Sequence, residues 1–358
     1  MKTIGFMLTR MIVSRFVVIL LGIVLIVLML DTLGNMDSIL EYNNGDYMSL
    51  PRYAALRFPQ VTSTFWTLSL LLAVLLTLLE MSWRNEIVAI WAAGVSPLQI
   101  VLALLPLGIV LGGGQFLIND RVVPVTASVL REWGVGDYDN GKQHLGEKDP
   151  LWMRAGNDIM RIESSNSDVT RLRGVTIFRR DRKGLLLEQI VAREAIQGSG
   201  RMVLRDVYIY TRDNVRPERL DTLVYSGDLK FATKGARSGE PQEMSIGDLS
   251  YFVTNQGFGI RPVHVYKTWW HKRISLLLGA WLVMAVCIPL ASRYRRGGAV
   301  GYLFGAGVAI GFAYFIFSGL SITIGEMGLV PAWMAAWMPL ILLGLLTSFL
   351  LVRAETVT

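Results

Sequence analysis

The chain has 358 residues, 52% of them hydrophobic and 18% charged, with a mean hydropathy of +0.43, against roughly 25% charged residues in soluble domains. This composition excludes an ordinary soluble globular protein, and the net charge of +7 is spread along the chain rather than gathered into a nucleic-acid surface. Cys287 is the only cysteine, which excludes an intrachain disulfide and thiolate metal or redox motifs.

The average hides a sharp division. Residues 119–268 hold 23 of the 35 Lys and Arg and 20 of the 28 Asp and Glu, so a polar insert lies between two apolar blocks. Six segments reach membrane length: 16–33, 61–79, 98–118, 274–290, 299–324 and 333–352. The first is too long for the apolar part of a signal peptide, and no small-residue cleavage site follows it. Lys2, Arg10 and Arg15 precede the first span, and Arg84 lies between the second and third. Arg293, Arg295 and Arg296 lie between the fourth and fifth, and Arg353 follows the sixth. With six spans these flanks share one side, which the positive-inside rule makes cytoplasmic. Both termini are then expected inside and the insert outside. Lys272 and Arg273 count mildly against this, but they end a long domain, where the rule is weak.

Between the second and third spans the chain reads EMSWRNEIVAIWAAGVSP (80–97). It is charged at Glu80, Arg84 and Glu86, yet too apolar for a solvated loop. Asn85 is placed to cap a helix, Glu86 suits its positive N-terminus, and Gly94 is placed to end it. Ser96 and Pro97 give a cap and first position for the next helix. Ile87 and Trp91 share one face at i, i+4, with Ile90 and Ala93 beside them. Two readings are open: a helix resting on lipid, or a knob fitting a groove on a cytoplasmic protein.

The third span holds Gly108 and Gly112, and the fifth holds Gly301 with Gly305 and Gly307 with Gly311. This spacing lets helices approach closely, within one bundle or against a partner. Pro106 is expected to kink the third span. In the insert, GVTIF (174–178) and LLLEQIVA (185–192) flank a turn at RRDRKG. MVLRDVYIY (202–210) alternates, and LWMRAGNDIMRI (151–162) reads as two strands around Ala-Gly-Asn-Asp. The insert is expected to be antiparallel β, a sandwich or jelly roll without a long helix, with an edge able to receive a strand. His144, His264 and His271 share no metal-ligand spacing. GxSxG and GxxxxGK[ST] motifs are missing, and the lysine of TKGARSG (233–239) is misplaced for a phosphate loop. An autonomous enzyme is not expected.

The order of three spans, β-rich insert and three spans resembles the LptF/LptG (YjgP/YjgQ) family, the membrane subunits of the lipopolysaccharide-export ABC transporter. The most specific piece is NEIVAIWAAGVSPLQI (85–100), similar to the family's coupling helix. GLVPAWMAAWMPLI (328–341) and MLDTLGNMDSI (29–39) resemble the LptG branch more than the LptF branch. The resemblance implies an α-helical membrane protein with six transmembrane helices and an inserted all-β, jellyroll-like periplasmic domain. Residues 1–118 would carry the first three spans and a coupling helix at about 85–93. Residues 119–268 would form the β domain with its linkers, and 269–358 the last three spans.

It further implies a bacterial inner-membrane subunit paired with an LptF-like chain over two LptB-like ATPases. ATP and magnesium would sit on those ATPases, and no cofactor on this chain. LptC-like and LptA-like proteins would continue the β domain outward, and lipopolysaccharide would enter between spans one and five. Glu86, Ile87, Ile90, Trp91 and Gly94 would couple to the ATPase. Chains of the LptG branch often carry Lys or Arg near the outer end of the first span, suited to lipid phosphates. Here no basic residue lies between Arg15 and Arg52, and the stretch offers Asp31 and Asp37 instead. Arg131 is the better headgroup candidate, or equally a rim arginine; metal bridging through Asp31 and Asp37 is an alternative. An LptF-like role and a membrane-anchored scaffold that does not transport are the competing readings. An intramembrane enzyme is rejected, because Asp31 and Glu326, its few titratable candidates, lie near span ends.

Overall fold

The computed structural model describes residues 2–138, 151–155, 158–165, 171–181, 185–198, 201–211, 216–225, 240–254, 261–293 and 300–356. The chain divides into two compact units, Met1–Ala127 with Lys267–Thr358, and Ser128–Tyr266. Arg295, Arg296, His144 and the TKGARSG stretch lie outside the described residues, as do parts of the Ala-Gly-Asn-Asp and RRDRKG turns.

The first unit is helical. Long apolar runs give α1 (Lys2–Gly34), α3 (Ser49–Trp83), α9 (Val263–Arg293), α10 (Val300–Glu326) and α11 (Ala332–Thr356), with Pro59, Pro289 and Pro339 taken into the interiors of α3, α9 and α11. At a rise of about 1.5 Å per residue, the 33 residues of α1 exceed the thickness of a bilayer core, and all five helices are long and apolar enough to cross one. The predicted third span is instead a chain of segments: α5 (Pro97–Ala103), α6 (Leu105–Leu117), a π turn (Ile118–Val122) and α7 (Val123–Trp133). The break falls at Leu104, because Pro106 has no N–H to offer the carbonyl of Leu102. Short helices α2 (Met36–Tyr42) and α4 (Glu86–Ala92) join the spans.

One apolar core fills this unit, drawing on Leu8, Phe16, Leu70, Val74, Met284 and Leu343 among others. Phe16 on α1 meets Trp66 on α3 edge-on, with ring centroids 5.0 Å apart. α10 reaches α3 through its glycines, since a Cβ on Gly307 or Gly311 would run into Leu75 or Leu71. α1 and α10 bury the smallest share of their apolar windows, 28% and 22% against 61% for α3 and α9. Large apolar side chains such as Val18, Leu25 and Met29 on α1 and Phe315, Ile316 and Leu320 on α10 are exposed.

The second unit is built on one antiparallel sheet whose six strands follow sequence order: β1 (Leu151–Ala155), β2 (Asp158–Ser165), β3 (Arg171–Arg180), β4 (Leu186–Gly198), β5 (Arg201–Thr211) and β6 (Glu218–Tyr225). The expected β insert is there, and its described strands connect as a meander of hairpins. A short helix also occurs, α8 (Ile246–Thr254).

The register carries an aligned crease. Pairs run Ile162↔Val175 and then Ser164↔Arg173, Ala192↔Val207 and then Glu194↔Arg205, and so on across the sheet. Glu163, Gly174, Arg193, Asp206 and Asp221 therefore form one unpaired row across five strands. Gly174 (φ 62°) and Asp206 (φ 50°) are left-handed there. Each kinked strand shifts its inward phase by one residue, so Leu172 and Val175, Ala192 and Ala195, and Leu204 and Val207 are all buried. Gly174 is required twice over, by its φ and because a Cβ would meet the Glu163 side chain.

The crease curls the sheet until β6 reaches β2. The Tyr225 hydroxyl, buried at 2% exposure, donates to Asp158 Oδ2 at 2.7 Å, and the Arg180 N–H donates to Asp158 Oδ1 at 3.2 Å. Burial first, and then the Asp158 carboxylate, push the Tyr225 phenol above its ordinary range. The neutral phenol is thus favoured by folding, and its contribution is lost as pH rises past the ordinary tyrosine value of about 10. Asp158→Ala strands both donors and is expected to cost about 1–3 kcal/mol. Hydrogen exchange at the Arg180 amide of the full chain checks this, and an unchanged rate would contradict it.

Candidate functional site

The elbow between α3 and α5 is built from two left-handed residues. Arg84 closes α3, its N–H bonding Glu80 O at 3.0 Å. Asn85 then turns the chain at φ 57° and ψ 16° into α4. Asn85 holds the expected cap position but makes no side-chain cap bond; its role is the positive φ, which asparagine tolerates better than most residues. α4 ends at Gly94 (φ 80°). There Gly94 N–H bonds Trp91 O at 2.9 Å and Val95 N–H bonds Ile90 O at 3.4 Å, the paired bonds of a Schellman end. Ser96 and Gln99 form a capping box for α5, with Pro97 in its first turn. The axes of α4 and α5 differ by 109°.

Of the apolar side chains of α4, Ile87, Ile90 and Trp91 turn toward the chain's own bundle rather than outward. Ile87 is 6% exposed, and with Ile90 and Trp91 it lines a small apolar pocket shared with Leu8, Leu78, Met81 and Ile288. The hydrophobic effect seats the helix on its own bundle. What α4 leaves exposed is Val88, Ala89, Ala92 and, beyond its end, Ala93 and Gly94, with the Glu86 carboxylate half-buried at the leading end. Beside it Glu80 holds two arginines: Arg15 of α1 on Oε2 and Arg84 on Oε1 at 2.7 Å. The sequence reading used these three only as flank charges; the i, i+4 spacing of Glu80 and Arg84 was the available signal.

The headgroup candidates are engaged or scattered. Asp31 accepts from the Tyr53 hydroxyl at 3.0 Å and pairs with Arg57 Nε at 3.3 Å, while Arg57 donates to Gln60 at 2.6 Å. Asp37 is exposed in the first turn of α2, where a helix N-terminus favours a carboxylate. Among the described residues no three His, Cys, Asp or Glu gather as metal ligands. Arg131 lies in the second unit, ion-paired with Glu243, which is 5% exposed. The Tyr138 hydroxyl donates to the same carboxylate at 2.7 Å. Desolvation is the largest effect on Arg131 and lowers its pKa. Its charge serves that pair.

The bundle holds further polar contacts that sequence reasoning missed. Asn119 donates to Ser63, Trp269 to Glu326 at 2.5 Å, and Lys272 to Ser318 at 3.0 Å. Arg273, 3% exposed, has Asp120 of the π turn as its facing carboxylate. Of the glycines, Gly108 and Gly112 face α9, and Gly307 and Gly311 face α3, all within the chain, whereas Gly301 and Gly305 meet nothing within 4 Å among the described residues.

The family described as "Lipopolysaccharide export system permease LptF/LptG" matches residues 7–353. "Lipopolysaccharide export system permease protein LptG" of Escherichia coli (strain K12) is 22% identical over 349 residues, covering 94% of this chain and 95% of the relative. The same protein of Escherichia coli O6:H1 (strain CFT073) matches equally. With five long apolar helices, a segmented sixth run and a β unit inserted between them, the chain belongs to the LptF/LptG family of lipopolysaccharide export permeases.

Proposed function

We propose that the chain is the LptG-like subunit of this export system, and that it moves lipopolysaccharide by coupling to ATP hydrolysis on a separate chain. It pairs with a homologous LptF-like permease over two LptB-like ATPases that carry ATP and magnesium. It lies in the bacterial inner membrane with both termini cytoplasmic and the β unit periplasmic, continued by LptC-like and LptA-like proteins. Lipopolysaccharide from the outer leaflet enters between the first and fifth spans. The exposed apolar surfaces of α1 and α10, the two least buried spans, support that route.

The observation that carries the reading is α4: a helix set across the bundle at 109° to α5, seated by its apolar face and bounded by left-handed residues at both ends. A rigid lever of this kind has a use only if something outside the chain moves it. A nucleotide cycle acts by binding two conformations differently, so the lever must report one state to the bundle. The LptG assignment over LptF rests on the two LptG relatives at 22% identity.

The test is a pull-down from detergent-solubilised membranes with this chain tagged, wild type beside Glu86→Ala. Recovery of an ATPase and a second six-span protein is expected, with the ATPase reduced at least fivefold or uncoupled in the variant. A wild-type preparation holding only extracytoplasmic proteins would leave a scaffold and end the permease reading.

A further inference from the structure

We infer that Glu80 is a positioning residue that carries motion of α4 to the first span, through its two-armed contact with Arg84 and Arg15. The inference rests on α4 being the ATPase contact and names the next link of the chain. α1 is held to α3 by ion pairs at two levels, Arg15 in its first half with Glu80, and Asp31 near its C-terminal end with Arg57. Between them the contact is apolar, as at Phe16 and Trp66. Apolar packing resists separation but lets helices slide and tilt by small steps, so the two ion pairs fix where α1 sits.

At the Glu80 end the fixing point is shared. Arg84 is the last residue before the left-handed Asn85, and α4 begins at Glu86. A movement of α4 that carries Asn85 with it displaces Arg84, and with it one oxygen of the carboxylate whose other oxygen holds Arg15. The same movement presses Ile87 and Trp91 against Leu8, about two turns before Arg15 on the same face of α1. Arg15 has no easy substitute for this partner. Its side chain is 23% exposed, and its Nη1 is buried without a hydrogen bond among the described residues. Removing Glu80 leaves a guanidinium largely out of water without its carboxylate partner. Since α1 presents one of the two least covered surfaces of the bundle, its position governs the lipid entry proposed between the first and fifth spans.

The experiment uses the assembled complex in proteoliposomes, reading ATP hydrolysis and lipopolysaccharide release to an acceptor in the same sample. Glu80→Gln, Arg15→Gln and the double variant form a cycle, with Arg15→Lys as the charge-keeping control. Each neutral single variant is expected to hydrolyse ATP within about twofold of wild type while lipid released per ATP falls about tenfold. The double variant falls no further than the worse single, because both remove one contact. Arg15→Lys keeps most of the coupling and shows that the bundle tolerates change at this site. Unchanged lipid release per ATP in Glu80→Gln, or losses that multiply in the double variant, would overturn the inference. A wild-type complex without ATPase or without release fails before any variant is compared, and that result strikes the parent reading instead.

Discussion

Gly112→Leu is expected to prevent stable assembly of the membrane unit, while Gly301→Leu and Gly305→Leu leave its stability unchanged. All three glycines belong to small-xxx-small pairs, yet they meet different surroundings. A Cβ on Gly112 would stand 2.5 Å from the carbonyl oxygen of Leu277, a backbone atom of α9 that cannot swing aside. One turn earlier, a Cβ on Gly108 would stand 2.5 Å from Cβ of Trp281. That indole is itself fixed, donating from Nε1 to Val101 O at 3.1 Å. Forcing a leucine between two such backbones separates α6 from α9 and opens the core around Met284 and Leu111. Overpacking in a tight core costs about 1–3 kcal/mol where neighbours can yield, and here the neighbour is main chain, so the upper end or beyond is expected. Gly307 and Gly311 face the flexible tips of Leu75 and Leu71, which can change rotamer, so alanine there is milder. Thermal unfolding of the detergent-solubilised chain checks the series. A Gly112→Leu protein melting like wild type would show that α6 and α9 are not packed as described.

What the sequence made legible follows from the range of the interactions involved. Span length, the Ser96 capping box, the Gly94 stop and the two hairpins β1–β2 and β3–β4 are set by residues near one another in the chain, and the residue pattern carries them directly. The last strand, ERLDTLVY (218–225), escaped because it is an edge strand: charges at Glu218, Arg219 and Asp221 are tolerated where only part of the strand is covered. The crease also blurs the pattern, since it shifts the inward phase within β3, β4 and β5. At the candidate site what stayed hidden has one cause. Periodicity shows that α4 has an apolar face but not which surface covers it. Likewise the charges at Asp31 and Arg131 are visible without their partners, Arg57 lying 26 positions away and Glu243 lying 112. A headgroup candidate read from charge alone ignores that a buried arginine is stable only with its own counter-ion.

Ala92→Arg, and Val88→Asp with it, is expected to abolish both ATPase recovery and lipid release without lowering the melting temperature of the permease chain. Val88 is 43% exposed, and Ala89, Ala92 and Ala93 are exposed beside it. Their small size makes a shallow, close-fitting surface rather than a projecting knob. Such a surface admits a partner backbone at short range, so one long charged side chain in its middle removes the fit and must be desolvated as well. Loss of a contact of this kind is worth on the order of 3 kcal/mol or more, a hundredfold or greater drop in association. Ile87→Ala should behave the other way. It removes a buried side chain from the pocket with Leu8, Leu78 and Met81, at a cost of about 2–5 kcal/mol, and so it lowers the melting temperature before it alters ATPase binding. Measuring both quantities on both variants separates the outward face from the seated one. If Ala92→Arg still brings down the ATPase at wild-type yield while Ile87→Ala loses it with an unchanged melting temperature, α4 meets its partner with the apolar face, and the seating on Leu8 and Met81 is not the state that binds.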